Sequence, residues 1–426
     1  MKIINEVAVI IKKRSFPSFI DELYKRGLDL LELLHVEETG EGVLYSLRIV
    51  SAGPKRFEEF ISIIGSASEK YKIISAKNVL EERAAGGLIN VSGRMPVETA
   101  ADFSTWVLGA AGFIQEKIRK GEGLAYTGIP CSVGLVAGIK AGNESEREHL
   151  LCGRAEAERD AVIINRFAGL NGYPITVRYD HPEDVIRVLK QIEQNFSAVR
   201  ITRFEEATLM LYERLYSELT VPLVSLEHDD IPLYLFVLII KILLKYRLKP
   251  EETTIGFVGI DLSAVRLTRL LGAIRFRRVL GSDRSEKTML ALENQGGLAT
   301  TAENIFSNAD ITVLLKSDYD REELGKVRPG QLIVSLLGDT EADRDVIAGK
   351  GVREFIRRDT TDMAVLFPGM LKGIIESGQR SVSDLKMVEY SKKLVTFLSD
   401  AFEFPSIFSD IHIRVAAMMK SGAGPA

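Results

Sequence analysis

Between Glu6 and Ser75, alternating apolar and polar residues are interleaved with stretches of helical spacing. The pattern predicts a strand at Glu6–Ile11, a helix at Ser15–Arg26 and a strand at Leu28–Glu38. Thr39-Gly40-Glu41-Gly42 then turns the chain into a strand at Val43–Val50. Pro54 opens a helix over Lys55–Ile64, and Tyr71–Ser75 is a closing strand. The order β-α-β-β-α-β is a ferredoxin-like split. Polar, glycine-ended Glu81–Gly87 is expected to be a linker. Farther on, Asp160–Val177 reads as a helix, a glycine turn and a strand, and Pro182–Glu193 as an amphipathic helix. A short strand at Ala198–Thr202, a helix at Phe204–Glu218 and a strand at Val221–Val224 follow. Ile231–Leu244 is apolar apart from Lys241, too short to span a bilayer, and expected to be a buried helix.

The stretch from Thr254 to Asp283 has a different signature. Ile255, Phe257 and Val258 form the short apolar run of a parallel strand buried on both faces. Gly259 permits a tight turn, Val265, Leu267, Leu270 and Leu271 recur at helical spacing, and Arg278-Val279-Leu280 begins a strand that reaches Asp283. This is the outline of a dinucleotide-binding βαβ unit in a Rossmann-like domain. The G-x-G-x-x-G positions, however, hold Gly259, Asp261 and Ala264. The second glycine lets the backbone approach the pyrophosphate, whose charge is stabilised at the helix N-terminus. Asp261 puts a carboxylate there and can cap the helix itself, so the chain is expected to fill its own anion site and to bind dinucleotide weakly or not at all. The residues left to contact NAD or NADP are Gly259, Ser263 and Asp283. Ser263 either bonds a phosphate or caps the helix, and Asp283 either holds a ribose hydroxyl or serves as a turn residue. Arg275, Arg277 and Arg278 either meet the 2′-phosphate of NADP or protect a strand edge.

Composition narrows the classes. At 426 residues the chain is long enough for two or three domains, and 46% hydrophobic with 27% charged residues is ordinary for a soluble protein. A net charge of −4 with scattered basic residues gives no support for nucleic-acid binding. Cys131 and Cys152 form neither a CxxC nor a metal-ligand spacing, which fits a reducing cytoplasm. The apolar run in MKIINEVAVIIKKR is broken by Asn5 and Glu6 and lacks a small-residue cleavage site, so neither a signal peptide nor a membrane association is expected. The SGAGPA tail is expected to fray.

In length and position the first unit, residues 1–80, resembles an ACT domain, a module that often senses amino acids at a dimer interface. ACT domains that bind amino acids usually carry a glycine after the first strand; here the turn reads Lys13-Arg14-Ser15-Phe16-Pro17. A dimerisation module is therefore as good a reading as a sensor. FAGLNGYPI, the HPEDVIRVLKQI helix, YERLYSELTVPLV and the apolar helix follow the order and spacing of malic enzymes. DMAVLFPGMLKGIIESG resembles that family's N-N-V-x-x-F-P-G-x-x-x-G segment, and SGRMPVETAADFS is similar to its S-K-V-P-V-x-x-x-x-D-L-S stretch. The resemblance covers roughly residues 88–390. It implies an α/β protein with an ACT-like domain at 1–80, a malic-enzyme-like N-terminal domain at 88–245, a Rossmann-like domain with a parallel sheet at 246–390 and a helical segment with a tail at 391–426. A homodimer is implied as well.

Malic enzymes oxidise malate with NAD(P) and decarboxylate the oxaloacetate formed, using a lysine base, a tyrosine acid and three carboxylates around Mg²⁺ or Mn²⁺. Carried across, the tyrosine falls on Val107 and the lysine on Asp160. The paired carboxylates fall within Ile201-Thr202-Arg203, and the third near Glu227, or on Asp229 or Asp230. The substrate-binding asparagines fall on Gly338 and around Asp362-Met363. Valine cannot donate a proton, and isoleucine or threonine cannot replace a carboxylate on a hard cation. Glu205, Glu206, Glu227, Asp229 and Asp230 could form an alternative acidic cluster; otherwise Glu205 and Glu206 sit on a solvated helix start. His228 is either an acid–base group or a solvated loop histidine. The expectation is a homologue that has lost malate turnover, holds no Mg²⁺ or Mn²⁺, and binds a small metabolite or amino acid. The alternative is a divergent NAD(P)-dependent oxidoreductase with a metal in the acidic cluster.

Overall fold

The computed structural model describes residues 3–12, 14–79, 87–89, 97–142, 145–205, 208–317, 319–337, 341–358 and 364–421. Glu206, Gly338, Asp362, Met363, residues 81–86 of the expected linker and residues 92–96 of the SGRMPVETAADFS segment lie outside these. The chain divides into two compact units, Met1–Asn90 and Val91–Ala426.

In the first unit the elements run β1 (Ile3–Ile11), α1 (Phe16–Lys25), β2 (Asp29–Thr39), β3 (Gly42–Ser51), α2 (Pro54–Ser66) and β4 (Tyr71–Asn78). The antiparallel sheet has the order β2-β3-β1-β4. Strand β1 alternates strictly, so Val7, Val9 and Ile11 point to one face and are buried with Phe19 and Leu23 of α1 and Phe57, Phe60 and Ile64 of α2. Phe19 meets Phe60 edge to face, with ring centroids 5.3 Å apart. Both helices carry proline in their first turn, where its missing N–H costs nothing. Arg14, in the turn between β1 and α1, adopts a left-handed φ of 76°.

The second unit is built on two parallel sheets. One has the order β6-β5-β7-β8, from Ser132–Lys140 (β5), Asn171–Tyr179 (β6), Ala198–Phe204 (β7) and Leu223–Ser225 (β8). The central strand, β5, was not predicted. Its glycines weaken the strand signal, yet each is a point of close approach: a Cβ on Gly134 would lie 3.0 Å from the Phe196 ring, and one on Gly138 2.9 Å from Phe204. Around this sheet pack α3 (Glu146–Ala168), α4 (Pro182–Ile192) and α5 (Leu209–Glu218). The last starts later than predicted, because Phe204 ends β7 inside the core and Thr208 caps the helix with its side chain. Helix α6 (Ile231–Tyr246) is buried without interruption from Ile231 to Ile239, as its all-round apolar surface requires. No helix among the described residues is long and apolar enough to cross a membrane.

The other sheet has the order β11-β10-β9-β12-β13-β14, with β9 Thr254–Val258, β10 Arg278–Ser282, β11 Leu298–Ala299, β12 Ile311–Leu314, β13 Leu332–Ser335 and β14 Glu354–Arg357. The strand order reverses between β9 and β12, and in such sheets ligands bind outside the carboxyl ends at that reversal. Helix α7 (Leu262–Ala273) follows β9. At the C-terminus come α8 (Phe367–Ser377), α9 (Asp384–Leu394) and α10 (Ile411–Ser421). A side chain on Gly369 would strike the His412 carbonyl at 2.3 Å and one on Gly373 the Ala416 carbonyl at 2.8 Å, so two glycines one turn apart let α8 and α10 touch.

Candidate functional site

The carboxyl ends of β9, β10 and β12 meet at the glycine turn. Gly259 has φ +76°, and a Cβ there would lie 2.6 Å from the Lys316 backbone nitrogen, so glycine is required twice over. Asp261 caps α7, accepting from the Ala264 N–H at 3.0 Å. Burial pushes its carboxyl above the ordinary value, while the Ala264 N–H and the Lys316 charge work against that shift. Ser263 is fully buried in the first turn, and the capping role belongs to Asp261. Asp283 turns back onto its own chain. It accepts from the N–H groups of Ile260 at 2.7 Å and Ser285 at 2.8 Å, and lies 3.2 Å from Lys316 Nζ. Burial raises its carboxyl, but the Ser285 N–H and Lys316 hold it below the usual range. Lys316, which also donates to the Ile260 carbonyl, was not anticipated. It follows β12, and its signal, a lysine at the end of the apolar run ITVLL, becomes readable only once that run is taken as a strand. A pyrophosphate does not fit this turn: the helix N-terminus holds Asp261, and Lys316 and Asp283 close the loop on each other. Arg275, Arg277 and Arg278 lie at the other end of the sheet. Arg278 opens β10 opposite Thr254, and the Arg277 N–H bonds Pro250, so none of them reaches the carboxyl-end crevice.

Beside the turn, the second unit buries a charged triad. Arg200 of β7, 1% exposed, donates through Nε to Asp160 at 2.8 Å and through Nη1 to Asp230 at 2.5 Å. Its guanidinium carbon lies 4.0 Å from the centroid of the Phe367 ring. Asp160, on α3, also accepts from Arg159 at 2.9 Å and 3.1 Å. Taking these charges from water costs several kcal/mol per ion, offset only by good geometry, which a planar donor fork between two carboxylates supplies. Burial and the neighbouring carboxylates Asp229 and Asp160 push Asp230 up to about 7 despite Arg200, and its Oδ1 has no hydrogen-bond partner among the described residues.

Asp229 faces the other way. It accepts from Arg266 Nη1 at 2.5 Å, from the Tyr216 hydroxyl at 2.7 Å and from the Ser225 N–H at 2.7 Å. Burial alone would raise its carboxyl, but Arg266, His228 and Tyr216 hold it well below the carboxylate range. His228 is not a solvated loop residue. It is 2% exposed and stacks on Tyr212 with centroids 4.9 Å apart, and burial and Arg266 favour the neutral ring. Glu227 is half-buried on the π-helical turn Leu226–Asp230 and is pushed up to about 7 by burial and by Asp261, against Arg203 and Lys316. Glu205 lies in the turn after β7 rather than starting a helix; it accepts from the Lys140 N–H at 2.9 Å and lies 2.7 Å from His149 Nδ1. Val107 is exposed on the π-helical turn Phe103–Gly109.

The structure therefore brings Asp160 and Asp230 together, through an arginine that sequence reasoning missed, and turns Asp229 toward a second one, Arg266. Each is a long basic residue inside an apolar run, RIT in β7 and VRL in α7, and such a residue signals an internal carboxylate partner. Among the described residues, no group of three or more His, Cys, Asp or Glu side chains is arranged to hold a metal ion. With Asp229 and Asp230 bound to guanidinium groups, these carboxylates do not fit a divalent cation as they stand.

No family model matches the sequence. The chain is 22% identical over 403 residues to NAD-dependent malic enzyme 1 of Bacillus subtilis (strain 168), covering 91% of this chain and 90% of that protein. It is 20% identical over 281 residues to the NAD-dependent malic enzyme of Geobacillus stearothermophilus, covering 59% and 58%. Among solved structures, the NAD-dependent malic enzyme of Thermotoga maritima matches 82% of this chain and 100% of its own at 16% identity, with a TM-score of 0.68. The malic enzyme of Pyrococcus horikoshii Ot3 matches 81% and 90% at 16% identity, with a TM-score of 0.65. The chain is thus homologous to malic enzymes and shares their α/β fold with parallel sheets.

Proposed function

We infer that this malic-enzyme homologue does not carry out oxidative decarboxylation of malate, and that it acts as a metabolite-binding or regulatory protein. The observation that carries the reading is the Asp160–Arg200–Asp230 triad. A general base must be able to take a proton near neutrality. Asp160, in the position that the resemblance assigns to the lysine base, is an acceptor already held by two arginines. Asp230, a candidate for the third metal ligand, accepts from the same Arg200. Val107 has no proton to give, and Asp261 sits where a pyrophosphate would need backbone N–H groups. The first unit fits an ACT-like module by its element order and sheet order, and a homodimer assembled through it accords with that reading. The test is turnover by pure protein supplied with malate, Mn²⁺ and NAD or NADP. The rate should stay at the protein-free background; sustained reduction of the nucleotide would overturn the reading.

A second reading, a divergent oxidoreductase acting on malate or a related hydroxy acid, is favoured by one observation. Glu227 combines partial burial with a carboxyl raised to about 7, the range of a working general acid. Such an enzyme would hold Mn²⁺ with Glu205, Glu206 and whichever of Asp229 and Asp230 left its arginine. Stoichiometric Mn²⁺ binding lost on Glu205→Ala would favour it, and no binding would count against it.

A further inference from the structure

The first unit contains a cavity of about 220 Å³ lined by Ile10, Lys12, Glu41, Ser68, Lys70 and Lys72, and also touched by Tyr71. Its position follows from the register. Ile11 pairs with Tyr71 and Ile10 with Lys72, and the Lys12 N–H bonds the Lys70 carbonyl at 3.0 Å. Because Ile11 and Tyr71 point into the core, the alternation of the strands puts Ile10, Lys12, Lys70 and Lys72 together on the opposite face, away from α1 and α2. Lys72 of β4, and Lys12 and Lys70 just beyond the paired ends of β1 and β4, therefore crowd one end of the sheet.

Only one of the three is balanced. Glu41, in the β2–β3 turn, takes Lys72 at 2.6 Å. Lys12 and Lys70, directly opposite each other, have no ion-pair partner among the described residues. Like charges facing each other across neighbouring strands are destabilising, and a local choice that conflicts with the fold marks a functional position. The ammonium groups leave two positive charges at the mouth of a cavity that also offers the Ser68 hydroxyl and an apolar wall from Ile10.

We propose that this cavity binds a small organic dianion, its two negative groups held by Lys12 and Lys70 and its carbon skeleton against Ile10. An inorganic ion would use the lysines and leave the apolar wall bare; a dicarboxylate of about four carbons uses both. The site belongs to the first unit and stands whether or not the second unit turns over malate.

The test is calorimetric titration of the full chain with succinate, acetate and inorganic phosphate at constant ionic strength, on wild type, Lys12→Ala, Lys70→Ala and, as a control on α2, Lys55→Ala. Succinate should bind, acetate far more weakly. Lys12→Ala and Lys70→Ala should each weaken succinate about tenfold, as loss of one charge-assisted hydrogen bond implies, and Lys55→Ala should not. Without ligand, Lys12→Ala should melt no lower than wild type, because it relieves repulsion. Absence of succinate binding, affinity unchanged in both lysine variants, phosphate bound as tightly as succinate, or a lower melting point for ligand-free Lys12→Ala would each overturn the proposal.

Discussion

Replacing Arg200 by methionine keeps an unbranched chain against Phe367 and removes the one side chain among the described residues that bonds both Asp160 and Asp230. Both carboxylates are about 1–3% exposed, so neither regains water when the guanidinium goes. Breaking a buried ion pair from one side costs roughly 3–5 kcal/mol, because a charge is left uncompensated. Asp160 keeps Arg159, whereas Asp230 has no second bonding partner among the described residues and must take up a proton. The expected loss is therefore about 3 kcal/mol at pH 7.5, toward the lower end of that range, and it should shrink at pH 5.5, where protonation of Asp230 is easy. Adding Asp230→Asn to Arg200→Met should recover part of the loss at pH 7.5, since a neutral amide needs no counter-charge. Urea unfolding followed by circular dichroism measures each step. A loss below about 1 kcal/mol for Arg200→Met, the worth of an exposed pair, would refute the triad as a tight buried unit.

Two further outcomes follow from the same electrostatics. Asp230 and Glu227 titrate at about 7 in the folded chain, above their unfolded values, so the folded state binds more protons and stability falls as pH rises through about 7; urea midpoints should decline from pH 5.5 to 8.5, and Asp230→Asn should flatten the decline. Asp261→Gly removes the α7 side-chain cap at a cost of only about a few tenths of a kcal/mol and restores the second fingerprint glycine; calorimetry should then detect a gain in NAD affinity over wild type, and no gain would mean that Lys316 and Asp283 alone keep the turn shut.

Much of the architecture was legible because periodicity reports burial. The strict alternation of β1, the all-apolar α6 and the β9–Gly259–α7–β10 unit each follow from a single run of residues. Strand β5 was hidden because Gly134 and Gly138 act through Phe196 and Phe204, which lie far along the chain. The site was legible as an inventory of carboxylates and not as a geometry. Asp160, Asp229 and Asp230 were identified as positions, but their partners Arg200 and Arg266 sit 40 and 37 residues from Asp160 and Asp229, respectively, and no local spacing links such pairs. The solvated alternative for His228 fails for the same reason: its surroundings include Tyr212 and Arg266, on other helices.

On the proposed function, the chain's own side chains occupy the nucleotide turn and the acid–base positions of this malic-enzyme homologue. Its most direct test is calorimetric titration of the wild-type protein with NAD and NADP, each with and without malate and Mn²⁺. Flat traces are predicted under all of these conditions. Tight, Mn²⁺-dependent binding of nucleotide and malate would show that Asp261, Lys316 and Arg200 move aside, and would contradict the account.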